Sequence, residues 1–244
     1  MLHRASERIW YSDPVEATDR PLLGYIRGDR LCLMVDAGCS AGHANGFLGL
    51  LAQNGLPQPD LAVITHSHWD HTYGLSALHD AGVLSIASAA TKKDLEKDTA
   101  LKWSRKLLED YMADGTVAAF CGEHMLAEYD DPAQINVALP QIAFEGRLVI
   151  DLGGERACIF PVENPHAPDS VAIYVPGQKA LFLGDAVYEE LLGSEWADHS
   201  DKVLALLNAI CPLDFSCAFT GHGVGGGPGL MTRSELLMWL RERV

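Results

Sequence analysis

The feature that most constrains this chain is a dense group of histidines and an aspartate at residues 65–71 (THSHWDH), directly after the apolar run DLAVIT. That run has a β-branched centre and predicts a short buried strand. In an extended chain, residues two apart face the same side, so His66 and His68 can converge on one ion. Asp70 and His71 follow a predicted turn and face differently, which suits a second ion nearby. Imidazole and carboxylate are ligands of zinc and similar divalent ions, so the pattern predicts a metal site.

One compact cluster cannot fill the coordination spheres of two ions, so we expect further ligands at the ends of other strands. His166 lies in a loop between predicted strands at 157–161 and 170–175, Asp185 follows the run LFLG, and His222 follows the run AFTG. Each adjoins a Gly or Pro that shapes a loop. Taken singly, an Asp after Leu-Gly is typical of a turn or a helix cap. Together with the first cluster, the three residues predict the remainder of a metal site.

Strands and helices alternate along the chain, which predicts an α/β fold. The apolar spacing in 92–113 indicates one long helix or two shorter ones. The order suggests one domain over residues 1–244, built from two similar α/β halves that meet near residues 115–130 and bury their sheets against each other. The other predicted strands are 8–11, 22–26, 31–35, 83–87, 135–139, 147–151, 179–184 and 216–220, and the other predicted helices run to about residue 53 and over 74–81, 201–210 and 233–243.

Composition limits the partners and the location that we expect. The 244 residues carry 33 acidic and 18 basic side chains, a formal net charge of −15, and the basic residues are scattered, so nucleic acid is an unlikely partner. No apolar run suits a signal peptide or a membrane span. The 6 cysteines form no C-x-x-C pair. We therefore expect free thiols, no membrane association and a cytoplasmic location.

The ordered blocks resemble the metallo-β-lactamase fold superfamily, from VDAG at 35–38, through HSHWDH at 66–71, to FLGD and TGHG. The resemblance covers most of the chain. It implies an αββα sandwich, in which two mixed sheets pack face to face with helices outside and two metal ions lie in a groove at one edge. It also implies a role for each candidate: His66, His68 and His166 hold the first ion, Asp70, His71 and His222 hold the second, Asp185 bridges them, and Asp36 hydrogen-bonds within the metal loops.

Two departures narrow this resemblance. The zinc β-lactamases proper carry a Cys where this chain has Asp185, and an Asp there is similar to glyoxalase II, lactonases and other hydrolases of the superfamily. The block Ala-Pro-Asp-Ser after His166 differs from the His-Thr-x-Gly-His pattern of glyoxalase II, and the basic C-terminal region of that enzyme is not found. The substrate therefore cannot be assigned from either relative.

The chemistry implied is metal-dependent hydrolysis. A hydroxide held between two ions attacks an ester, thioester, lactone or amide of a small molecule, and Asp70 orients the hydroxide or carries its proton. No G-x-S-x-G elbow offers a serine nucleophile. Zinc is the expected metal, with iron or manganese as alternatives, and the oligomeric state stays open. Two other functions remain: an iron-dependent, persulfide dioxygenase-like oxidoreductase using His66, His166 and Asp185, or a small phosphodiesterase.

Three features have a structural and a functional interpretation. Tyr188, three residues after Asp185, either contacts substrate or packs as an ordinary aromatic, and we favour packing. The helical segment 92–130 is either a lid or part of the core; its stripe of Trp103, Leu107 and Tyr111 favours core packing. The glycine run 225–227 lacks the Lys-Ser/Thr of a phosphate loop and predicts a flexible loop beside the groove.

Overall fold

The structure, a computed structural model, describes residues 1–224 and 227–244. Gly225 and Gly226, and with them most of the predicted glycine loop, lie outside the described residues. The helices are α1 (Ala41–Gln53), α2 (Trp69–Thr72), α3 (Leu75–Asp80), α4 (Ala89–Asp98), α5 (Arg105–Asp114), α6 (Ala119–Glu128), α7 (Ser200–Ile210) and α8 (Arg233–Arg241).

The strands form two large mixed sheets and one small hairpin. The first sheet has the order β1-β2-β3-β4-β5-β6-β7, and its members are β1 (Leu2–Arg4), β2 (Ile9–Ser12), β3 (Gly24–Arg27), β4 (Cys32–Val35), β5 (Leu61–Val63), β6 (Leu84–Ser88) and β7 (Ile142–Phe144). The second has the order β15-β14-β11-β10-β9-β8, and its members are β8 (Leu148–Asp151), β9 (Arg156–Pro161), β10 (Val171–Val175), β11 (Ala180–Gly184), β14 (Cys217–Thr220) and β15 (Leu230–Thr232). The hairpin pairs β12 (Glu190–Leu192) with β13 (Glu195–Ala197).

Alternating side chains of each sheet produce four layers. Val63 and Ile86 on the first sheet share a core cluster with Ile173 and Phe182 on the second, so the two sheets pack face to face. The opposite face of the first sheet buries residues of α1, α3 and α4, and the opposite face of the second buries residues of α7 and α8. This arrangement confirms the predicted αββα sandwich.

Parallel pairing aligns the strand ends that carry the candidate site. Strands β4 and β5 are parallel, and so are β11 and β14. Two backbone hydrogen bonds join the sheets at this edge: Val171 N–H donates to Thr65 O over 2.8 Å, and Leu22 N–H donates to Gly221 O over 2.6 Å. The ligand-bearing loops of both sheets therefore meet at one place.

The region between the halves differs most from the sequence-based prediction. Residues 135–139 form no strand. Ile135 and Val137 instead pack against α5 and α6, and the strand that pairs with β6 is β7. Residues 119–128, expected to join the halves, form helix α6, and the chain passes from the first sheet to the second at 145–147. Segment 92–113 forms two helices. Apolar periodicity alone did not distinguish a strand from an extended segment packed against helices.

The six cysteines are free thiols, as expected. None of the helices in the described ranges combines the length and the apolar character that a membrane span requires.

Candidate metal centre

Five loops at the shared edge of the sheets supply the candidate side chains. Asp36 follows β4, the 65–71 cluster follows β5, His166 lies between β9 and β10, Asp185 follows β11 and His222 follows β14. The loops approach so closely that small residues are required beside them. A side chain on Gly221 would collide with the Asp185 carboxylate, and one on Gly184, at φ 51°, would meet the Thr65 side chain.

The structure brings all seven sequence-predicted ligand residues together. Their ligand atoms form two groups, and within each group the atoms lie within 4.8 Å of one another. We call these the first group (His66, His68 and His166) and the second group (Asp70, His71, Asp185 and His222).

Asp185 lies between the two groups. Its Oδ2 is 3.6 Å from His166 Nε2 in the first group and 3.4 Å from His222 Nε2 in the second, and its Oδ1 is 3.3 Å from His71 Nε2. This position is the one that a bridging carboxylate requires. The role of each residue as a ligand stays a prediction.

Asp36 forms hydrogen bonds to the loop that carries the 65–71 cluster. Its carboxylate accepts hydrogen bonds from Thr65 N–H over 2.7 Å, from Thr65 Oγ1 over 3.0 Å and from His71 Nδ1 over 2.8 Å. Because Thr65 Oγ1 gives its proton to Asp36, it accepts from His66 Nδ1 at 3.1 Å. Both imidazoles therefore direct Nε2 towards the centre of the site, as a metal ligand must.

Three buried atoms show that a cation fits this cluster. His66 Nε2, His71 Nε2 and Asp185 Oδ1 have no hydrogen-bond partner among the residues that the structure describes. The Asp70 and Asp185 oxygens lie 3.0 and 3.3 Å from His71 Nε2 without the alignment of a hydrogen bond. Buried lone pairs facing carboxylate oxygens are costly unless a positive charge lies between them. The donor set of imidazoles and carboxylates suits divalent metal ions.

The electrostatics of the two groups differ. Burial lowers the pKa of His66 far below its usual value and, with neighbouring imidazoles, that of His166 to about 4, so both rings are neutral. Burial acts the same way on His222, but the Asp185 and Asp70 carboxylates outweigh it and raise its pKa to about 10. Desolvation opposes ionisation of both carboxyls, yet the facing histidines lower the pKa of each. The second group therefore strongly attracts positive charge.

Tyr188 uses its hydroxyl within the fold. The hydroxyl donates to the His222 carbonyl and accepts from His222 N–H over 3.1 Å. The ring packs against the apolar core that the second sheet forms with α7 and α8. This geometry favours the packing interpretation over a substrate contact. Tyr188 holds the backbone of the His222 loop together with Thr220, whose Oγ1 donates to the same carbonyl over 2.7 Å.

Sequence reasoning missed Asp19, whose Oδ1 lies 3.7 Å from His222 Nδ1. Asp19 adopts a left-handed backbone conformation, at φ 52°. Such a conformation is uncommon for a residue other than glycine and is often found at functional sites. Burial and the Asp70 carboxylate raise the pKa of Asp19 to about 6. Because an Asp before Arg-Pro is typical of an ordinary turn, no sequence signal identified it.

The helical segment 92–130 packs beside the cluster. Trp103 and Tyr111 join a chain of aromatic contacts with Tyr73, at ring-centroid distances of 5.8 and 6.1 Å. Leu108 rather than Leu107 is the buried member of α5. Trp103 and Tyr111 of the stripe are thus partly buried against this cluster, whereas Leu107 is not part of it, so the core-packing interpretation is supported for two of the three residues.

Comparison with known proteins agrees with this geometry. The family model of the metallo-beta-lactamase superfamily matches residues 22–222. Two curated relatives, each described as acyl-coenzyme A thioesterase MBLAC2, are 26% identical in Gallus gallus and 23% identical in Bos taurus. Both matches extend over 193 residues, which is 76% of this chain and 64% of the relative. The chain thus matches less than two thirds of the length of these relatives.

Solved structures share the fold. A metallo-beta-lactamase from Pontibacter korlensis superposes with a TM-score of 0.67 at 17% identity, over 99% of this chain and 98% of that one. A stereoselective inverting sec-alkylsulfatase, Pisa1 from Pseudomonas sp., gives a TM-score of 0.67 at 19% identity, over 99% of this chain and 40% of that one. At such identities the likeness concerns the fold. The family-model match extends over most of the chain and includes every candidate ligand, and the chain therefore belongs to the metallo-beta-lactamase superfamily.

Proposed function

We propose that this chain is a dinuclear metal-dependent hydrolase of small acyl thioesters. The observation that carries the proposal is the pairing of two complete ligand groups around Asp185. We propose zinc as the metal, with iron or manganese as alternatives to be tested. A pair of divalent ions supplies, when bound, a water molecule with a pKa of about 7 and a Lewis acid for the carbonyl oxygen.

The residues of the chain hold and orient the reactants. Asp36 fixes the tautomer of His71 directly and that of His66 through the Thr65 hydroxyl. The Glu189 carbonyl fixes the tautomer of His166 over 2.8 Å. Asp70 stays ionised because the facing histidines lower its pKa despite burial. Its carboxylate can therefore accept a hydrogen bond from the attacking water and orient it, rather than act as the final proton acceptor.

The proposed reaction is hydrolysis of the thioester bond by one water molecule. A bond forms between the water oxygen and the carbonyl carbon, the carbon–sulfur bond breaks, and one proton passes to the departing sulfur. The products are a carboxylic acid and a thiol. The thioester class is proposed because the curated relatives are described as acyl-coenzyme A thioesterases. Esters, lactones and amides undergo the same attack and belong in the same substrate panel.

The alternative oxidoreductase would need one iron held by His66, His166 and Asp185. Such a site gives no role to Asp70 and His222, which converge in the second group. Elemental analysis distinguishes the two functions. Near two equivalents of zinc or manganese support the hydrolase, whereas one equivalent of iron with a visible absorption band supports the oxidoreductase.

The decisive test combines metal removal with substitution of the cluster. Chelator treatment should abolish thioester hydrolysis, and added zinc should restore it. His68→Ala and Asp70→Ala should each lose at least about 100-fold in kcat. His3→Ala, which changes a histidine of the edge strand β1, is the matched control and should keep wild-type rates. Full activity of metal-free protein would refute the proposal.

A further inference from the structure

An exposed apolar surface lies between α6 and the β12–β13 hairpin. We call it the aromatic rim, and it consists of Phe120, Leu191 and Trp196. The Phe120 and Trp196 ring centroids are 5.4 Å apart, with ring planes at 83°. Leu191 pairs directly with Trp196 across the hairpin, so both side chains project from the same face. The rim therefore joins an element of the first half of the chain to one of the second.

The rim remains uncovered although its side chains are large. Trp196 is 50% exposed and Phe120 is 37% exposed. They are the aromatic members of the set of large exposed apolar side chains in the described ranges; the others are aliphatic. Aromatic surface exposed at a contact of two elements is typical of a binding surface.

Both elements of the rim are anchored beside the metal centre. On α6, Cys121 follows Phe120 and packs in one cluster with Trp69, the residue between His68 and Asp70. On the other side, the hairpin begins at Glu190, directly after Glu189. The Glu189 carbonyl accepts the hydrogen bond from His166 Nδ1.

One candidate ligand of the metal centre is exposed to solvent. His68 is exposed, whereas the other members of the first group are buried. His68 precedes Trp69, and its Nδ1 is 2.9 Å from His166 Nε2. The exposed histidine of the site is therefore linked by contacts to both elements of the rim.

Charge around the rim indicates which part of a substrate it accepts. Glu190 and Glu195 belong to the hairpin, and Glu189 precedes it. Two nearby cations are already paired, Arg243 with Glu189 and Lys202 with Glu190, and the His124 ring lies 4.3 Å from the Phe120 ring. An anionic group would be repelled here, whereas an uncharged hydrocarbon chain would gain from burial against aromatic rings.

We infer that the aromatic rim binds the hydrocarbon chain of the acyl group and makes the enzyme selective for longer acyl chains over acetyl. The inference rests on the proposed thioesterase function. Because the rim contacts the hydrocarbon chain and not the reacting carbonyl, its contribution to kcat/KM increases with the length of that chain.

The experiment compares acetyl and octanoyl thioesters of one neutral thiol. Wild-type protein should prefer octanoyl. Trp196→Ala and Phe120→Ala should each lower kcat/KM for octanoyl about 10-fold and change acetyl by less than about twofold. Leu192→Ala is the matched control: Leu192 lies on the same hairpin, is 53% exposed and projects from the opposite face, so it should change neither substrate. Equal losses on both thioesters, or no loss on octanoyl, would overturn the inference.

A second measurement does not depend on catalysis. An octyl thioether of the same thiol, which has no carbonyl group and cannot be hydrolysed, should bind wild-type protein about 10-fold more tightly than Trp196→Ala in calorimetry. Equal affinities would overturn the inference. If zinc-loaded wild-type protein hydrolyses neither thioester, the proposed function fails, and the thioether comparison still decides whether the rim binds an acyl chain.

Discussion

At the scale of single residues, the candidate centre depends on partners of the histidines as much as on the histidines themselves. Asp36 and Asp19 both have left-handed backbone conformations, at φ 63° and 52°. Each carboxylate faces the Nδ1 of a second-group histidine, Asp36 at His71 and Asp19 at His222. Such conformations cost of order 1–3 kcal/mol for residues other than glycine, and the surrounding structure has to compensate for that cost.

The first residue-scale prediction concerns Asp19→Asn. Removing the charge 3.7 Å from His222 Nδ1 should weaken binding of one of two zinc equivalents by about 10–100-fold, because partners of this kind tune metal affinity. Chelator competition measures the effect. Asp13→Asn is the matched control and should leave zinc binding unchanged. It also removes a carboxylate that pairs with a histidine, because Asp13 lies 2.7 Å from Nε2 of His3, a residue of edge strand β1. If both variants bind two zinc ions as tightly as wild type, Asp19 has no such role.

A second prediction follows from the His222 pKa. Without metal, the Asp185 and Asp70 carboxylates raise this pKa from 6.5 to about 10, so the ring is protonated at neutral pH. A metal ion binds only the neutral ring and must displace that proton. Zinc affinity should therefore rise with pH between about pH 6 and 8, by about tenfold per unit for each proton that the metal displaces. Chelator competition at several pH values checks this; affinity independent of pH would contradict it.

At the scale of elements, a partly buried ion pair adds to the apolar packing that holds α6 against the metal loops. Arg20 donates to both carboxylate oxygens of Glu128, at 2.8 and 2.9 Å, and the Ser40 hydroxyl donates to the same carboxylate. Ser40 also caps α1, accepting from His43 N–H over 3.0 Å. The ion pair thus connects α6, the segment beside Asp19 and the start of α1.

The prediction for this element is that Glu128→Ala destabilises the protein by about 2–3 kcal/mol. The Glu128 side chain is 2% exposed, and its loss leaves the Arg20 guanidinium, 34% exposed, without its partner. Denaturant unfolding measures the change. Asp110→Ala, which removes the partner of Lys106 in an exposed pair on α5, should cost less than about 1 kcal/mol. Equal effects in the two variants would show that the Glu128 pair is not a structural anchor.

At the scale of the whole molecule, the candidate ligands come from both sheets. Metal binding should therefore stabilise the sandwich as a unit. Zinc at about 100 times its dissociation constant adds about 2.7 kcal/mol per independent site, so the melting temperature should rise by roughly 5–10 °C. His71→Ala should lose most of this shift, and His79→Ala, on α3 away from the site, should keep it. A melting temperature unaffected by zinc in wild-type protein would exclude a metal that joins the sheets.

The sequence by itself determined two α/β halves with packed sheets and seven candidate ligands, and the resemblance of its ordered blocks implied the αββα sandwich. The signals for the strands and ligands are local: apolar runs such as β11 predict buried strands, and His66, Asp185 and His222 directly follow such runs. Only the tertiary structure decided the region around the mouth of the site. The packing of α6 against the segment beside Asp19 was not predicted, because it depends on the contact of Arg20 with Glu128, 108 residues apart. The same is true of Asp19 beside His222 and of Phe120 beside Trp196, since contacts between distant residues leave no pattern in neighbouring positions.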